Sequence, residues 1–101
     1  MPVIFVRKAQ ALPGQEFAAV KWGMEIAKMA SNVIGLDVMF GQQVGGPIGQ
    51  IGWRVTFADM AAYEAAMMKA NSDEAYLKSI ADNAGKLFRP DSGHDELWHT
   101  L

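Results

Sequence analysis

Cysteine is absent from the 101-residue chain. That excludes disulfides, thiolate nucleophiles and cysteine-ligated metal sites together. No apolar run approaches the roughly 18 residues of a membrane span, and no charged-then-apolar leader opens the chain. A cytoplasmic location and no membrane partner are therefore expected. Neither charge dominates: 9 Lys and Arg stand against 11 Asp and Glu, a formal net charge of -2, so no global basic pull towards nucleic acid exists. His94 and His99 are the only histidines. Their spacing puts them on opposite faces of a strand, and neither HxH nor HExxH occurs, so no metal site is expected. Gly41, Gly45, Gly46, Gly49 and Gly52 are scattered through a hairpin without a GxGxxG or P-loop context. No serine sits in a nucleophile elbow. The chain carries no catalytic signature.

What is present is an apolar, strongly patterned chain. Half of its residues are hydrophobic and a fifth are charged, as in a globular domain, and the length suits one domain spanning residues 1–101. The organising stretch is QIGWRVTF, Gln50 to Phe57. Ile51, Trp53, Val55 and Phe57 alternate with Gln50, Gly52, Arg54 and Thr56, giving a strand with one apolar face, followed by Asp59 as a helix cap.

Upstream, Val3 to about Ala9 reads as a strand covered on both faces, with Arg7 sharing the face of Val3 and Phe5 and Lys8 pointing away. Leu12-Pro13-Gly14 breaks it, and a helix is predicted from about Pro13 to Ser31. Phe17, Val20, Met24 and Ala27 form one apolar edge of that helix, and Trp22, Ile26 and Met29 a second. Small Ala19, Gly23 and Ala30 lie between, where the backbone can approach a sheet. So little polar surface predicts cover on more than one side, and Asn32 to Gly35 supplies the stop. Leu36 to Val44 reads as a strand forming an antiparallel hairpin with the Gln50 strand across Gly45-Gly46-Pro47.

After Asp59 comes a helical region in two pieces. Met60 to Ala70 is followed by a break in which Asn71 and Glu74 have capping-box spacing. The second piece runs to about Phe88, with Leu77, Ile80, Ala81, Ala84, Leu87 and Phe88 as its buried arc. Glu74, Lys78, Asp82 and Lys86 form a solvated ion-pair ladder. His94 to Leu101 closes the chain as a fourth strand, Leu97, His99 and Leu101 on one face and His94, Glu96, Trp98 and Thr100 on the other.

The order βαββαβ with right-handed crossovers predicts an α+β, ferredoxin-like fold: a four-stranded antiparallel sheet with helices on one face. Both sheet faces carry apolar residues, so the uncovered face is expected to meet a second copy of the chain, sheet against sheet. The element order, the length and the stretch WRVTFADMAAYEAAMMKANSDEAYLKSI resemble the dimeric α/β-barrel superfamily, particularly its antibiotic-biosynthesis-monooxygenase-like and NIPSNAP-type members. The resemblance implies a homodimer with a ligand pocket between sheet and helices. Many of the monooxygenase-like relatives carry a Glu two positions before the strand Trp and a His about three helical turns beyond it. Ile51 and Tyr63 stand near those positions here.

Four polar strand residues are candidates for chemistry: Arg7, Arg54, Asp37 and His99. The fork of donors on Arg54 could hold a carboxylate or enolate, or it could pair with Asp37 or serve the dimer interface. His99, with an ordinary pKa near 6.5, suits a general base or an interface hydrogen bond. Trp53, Tyr63, Trp22, Met67 and Arg7 are the expected ligand-binding residues, the tryptophans equally suiting the core and the methionines an adaptable wall. The resulting expectation is a small-molecule-binding dimer for an apolar or aromatic metabolite. If catalytic, the resemblance favours cofactor-independent oxygenation or isomerisation, with Arg54 as stabiliser and His99 as base. The rival expectation is a non-catalytic dimerisation or binding module.

Overall fold

The computed structural model describes residues 1–101 and shows β1 (Val3–Gln10), α1 (Glu16–Ile34), β2 (Met39–Gln42), β3 (Gln50–Phe57), α2 (Met60–Ser72), α3 (Glu74–Leu87) and β4 (His94–His99). The strands form one antiparallel sheet in the order β2-β3-β1-β4. This is the expected α+β arrangement. In the β1–β3 register Val3 lies opposite Phe57, Phe5 opposite Val55 and Arg7 opposite Trp53. These residues and Ala9 face the helices, because Val3, Ala9, Ile51, Val55 and Phe57 pack against helical residues. Ile4, Val6, Arg54, Thr56 and Trp98 share the opposite face, which no helix covers.

The core has two parts. Ala9, Ala11, Ala19, Trp22, Ile26, Ile51, Leu87 and Phe88 make one cluster at the β2–β3 hairpin end. Val3, Val55, Phe57 and Ala66 make the other. Ala19 and Gly23 are buried as expected, and a Cβ at Gly23 would overlap the Phe40 ring, so glycine sets how closely α1 lies on the sheet. The Phe17–Met24 edge is different: Phe17 is 87% and Met24 61% exposed. Val20 and Ala27 of that edge still turn inward with the Trp22–Ile26 side and the small residues, so the edge is covered only in part within the chain.

Several boundaries depart from the sequence reading for local reasons. Helix α1 begins three residues after Pro13, because the Gln15 N–H donates to the Leu12 carbonyl at 2.9 Å and closes a turn first. It runs past Ser31, whose hydroxyl donates back to the Ala27 carbonyl at 2.8 Å and accepts the Val38 N–H at 3.0 Å. Gly35 ends it at φ 72°, the left-handed conformation that glycine adopts without strain. Strand β2 keeps only four residues of the nine expected. Between α2 and α3 the cap is Asp73, whose carboxylate accepts the Tyr76 N–H at 2.8 Å; Asn71 remains inside α2. On α3 the inward arc is Tyr76, Ile80, Ala84 and Leu87, whereas Leu77 and Ala81 are exposed. Of the expected charge ladder only Lys78–Asp82 closes, at 2.7 Å. No helix is long and apolar enough to cross a membrane.

Candidate functional site

Between the sheet and the helices lies a cavity of about 660 Å³, 15 of whose 23 lining residues are hydrophobic. Its walls come from both core clusters: Phe5 and Val55 from the sheet, Trp22 and Ile26 from α1, Met67 and Ala70 from α2, and Tyr76, Ile80 and Ala84 from α3. Helix α3 packs chiefly on α1 and α2, with little direct purchase on the strands. The space it roofs over therefore stays unfilled. Close packing normally leaves few voids larger than a water molecule. A cavity of this volume falls in the range typical of small-molecule sites, about 300–1,000 Å³.

An aromatic cluster shapes the wall nearer the hairpin. The Trp22 and Trp53 rings meet edge-on at 6.2 Å, and each meets Phe88, at 5.8 and 6.2 Å. Trp22 Nε1 donates to Ser79 Oγ at 3.1 Å and Trp53 Nε1 to the Gly23 carbonyl at 3.0 Å. With both indole donors engaged, these rings present hydrocarbon to the cavity and little polarity. Behind Phe5, Tyr63 packs on Phe5 and Phe57 at 5.9 and 5.5 Å.

The polar part of the wall centres on Arg7. Its Nε and Nη2 donate to Asp95 Oδ1 and Oδ2 at 2.8 and 2.9 Å, a two-pronged pair between residues directly opposite in the β1–β4 register. The Arg7 guanidinium lies 5.5 Å from the Phe5 ring centre. The Arg7 hydrogen bond holds the Asp95 carboxyl below its ordinary range against the opposing effect of burial. The same bond raises Arg7 further. Arg89, from the loop after α3, also lines this region.

Of the residues singled out from sequence, Trp53, Trp22, Met67 and Arg7 line the cavity, and Tyr63 supports it from behind. Arg54 and His99 do not line it. Arg54 lies on the uncovered face, its Nη2 3.2 Å from the Met39 sulfur, so it pairs neither with Asp37 nor with anything in the cavity. His99 lies opposite Val3 at the end of the edge strand β4, on the helix side of the sheet. The sheet thus separates Arg54 from His99, and one subunit cannot bring them to one reacting centre. His94 instead meets Glu96 at 2.9 Å on the uncovered face, where Trp98 Nε1 also donates to Glu96 at 2.9 Å. Asp95, Tyr76 and Ala84 were not foreseen in the wall. Asp95 has the strand parity of Leu97 and His99, which was the available signal.

No protein-family model and no curated protein matches the chain. Solved structures do. A NIPSNAP family protein from Agrobacterium tumefaciens superposes with a TM-score of 0.80 at 13% identity, over 100% of this chain and 94% of that one. The likeness establishes the fold. A second NIPSNAP family protein from the same organism, described as of unknown function, gives 0.77 at 13% identity over 96% and 86% of the two chains. A protein from Mycobacterium tuberculosis gives 0.71 at 16% identity over 100% and 96%. NIPSNAP proteins among these neighbours agree with the NIPSNAP-type side of the sequence resemblance.

Proposed function

We propose that this protein is a homodimeric binding module for a small, largely apolar, aromatic-compatible molecule held between sheet and helices. The carrying observation is the cavity of about 660 Å³ flanked by two separate core clusters. In the free chain the largely apolar wall of this space is left to water, and a bound apolar molecule would cover it. Catalysis draws less support. Neither histidine lines the cavity, and Arg54 lies across the sheet from His99. Those positions favour the binding module over an oxygenase or isomerase.

The homodimer half of the reading rests on the uncovered face, where Ile4 and Val6 lie beside Trp98, itself 59% exposed. A second copy set sheet against sheet would cover that apolar strip and leave each cavity on the outside, open to its own ligand. Native mass spectrometry of the protein as purified from cells addresses both halves. The expected species is twice the chain mass plus a small organic adduct released on denaturation. A bare monomer across micromolar concentrations, unable to take up any apolar probe, would overturn the reading.

A further inference from the structure

We propose that the ligand carries an acidic group, that Arg7 is its anchor, and that Asp95 holds the place of that group until the ligand displaces it. The inference rests on the cavity reading above and assigns its ligand class: an apolar body bearing one carboxylate, sulfonate or enolate.

Arg7 stands at the mouth of the cavity, its side chain 45% exposed. It lies on the helix side of β1, between Phe5 and Ala9, where the mostly apolar wall of the cavity meets its polar rim. An arginine placed only to clip β1 to β4 could as well lie on the uncovered face, where Lys8 meets Glu96 at 3.8 Å. The fork of Arg7 is presented edge-on to Asp95 through Nε and Nη2, the geometry in which guanidinium takes any planar oxyanion. The Asp95 side chain is 48% exposed, so the carboxylate has water to turn into when another oxyanion takes the fork. Phe5 lies under the guanidinium at 5.5 Å and keeps its place if the carboxylate leaves. The charge balance points the same way. Arg7, Lys8 and Arg89 line the region with Asp95 as the one acidic residue there; Lys8 is taken up by Glu96, and Arg89 has no ion-pair partner. An incoming anion that turns Asp95 out to solvent meets two cations at the edge of a low-dielectric space, where their attraction is stronger than in water.

Two probes of similar size separate the anchor from the cavity: anionic 1-anilinonaphthalene-8-sulfonate and neutral N-phenyl-1-naphthylamine, each titrated by fluorescence. Both should bind the wild-type protein, and Ala84→Trp, which fills the cavity, should abolish both. Arg7→Gln should weaken the sulfonate about tenfold, the factor equivalent to about 1.4 kcal/mol, and leave the neutral probe unchanged. Arg7→Lys should fall between, since it keeps the charge without the fork. Asp95→Asn should tighten the sulfonate alone. Sulfonate affinity indifferent to Arg7→Gln and Asp95→Asn, with both probes still lost in Ala84→Trp, would overturn the anchor and leave the cavity standing. Probes that fail to bind, or bind Ala84→Trp as well as wild type, would overturn both.

Discussion

The indole N–H of Trp53 reaches the carbonyl of Gly23 at 3.0 Å, tying the middle of the central strand β3 to the middle of α1. The bond exists because Gly23 lets the helix backbone descend onto the sheet. Trp53→Phe keeps most of the ring packing and deletes the donor. Stability should fall by about 0.5–1.5 kcal/mol, the net worth of one hydrogen bond. At this chain length that is about 4–8 °C in melting temperature per kcal/mol, readable in a thermal scan.

Gly23→Ala tests the approach itself. The new methyl would overlap the Phe40 ring, and overpacking of this kind costs about 1–3 kcal/mol. Phe40→Leu vacates the space, so the double variant should recover part of the loss. A coupling energy near zero in the four-member cycle would show that Phe40 moves aside freely.

How far such features were legible depends on how uniquely the apolar pattern sets a phase. In β3 the alternation admits one register, so Trp53 and Arg54 were assigned to opposite faces correctly. Nothing in one strand says which face the helices will cover, and Arg54 was grouped with Trp53 as a site residue although the sheet divides them. On α3 both Leu77–Ala81 and Tyr76–Ile80 make acceptable apolar stripes, and only the position of α1 selects the second. The cavity was legible only as an implication of family likeness, because it arises from the distance between α3 and the sheet, a tertiary quantity. Arg7 was placed on the apolar face of β1, but its partner is 88 residues away, and pairing β1 with β4 was needed to find it.

Asp73 closes α2 and opens α3 at once, its side chain accepting the Tyr76 N–H. Asp73→Ala should therefore cost about 1 kcal/mol, the usual loss for an N-cap. Asp73→Asn, an equally good cap, should be close to neutral. Equal losses in urea unfolding for the two variants would assign the effect to charge and not to the cap.

The Arg7–Asp95 pair predicts an acid-sensitive contribution with a definite sign. Asp95 titrates lower folded than unfolded, mainly through its Arg7 hydrogen bond. Its contribution is therefore present above the unfolded aspartate pKa of about 3.9 and lost as pH falls through the folded value. Both side chains are nearly half exposed, so screening limits it to about 1 kcal/mol or less. Urea midpoints between pH 6 and pH 2 should fall less steeply for Asp95→Asn than for wild type.

Trp98 projects from the uncovered face and is 59% exposed, so the fold of one subunit does not depend on its burial. Trp98→Glu should leave the circular dichroism spectrum unchanged while converting the proposed dimer to monomer in sedimentation. A dimer that persists unchanged would move the interface elsewhere, the exposed Phe17–Met24 edge of α1 being the next surface to test.

The division of the core by its cavity also bears on local opening. The space opens to solvent beside Arg7 and Asp95, both nearly half exposed, and α3 roofs it with little direct purchase on the strands. Amide hydrogens of α3 should therefore exchange faster than those of the paired β1 and β3 in the empty protein. A bound molecule that bridges α3 and the sheet would slow that exchange, so protection of α3 alone would report occupancy before the occupant has been identified.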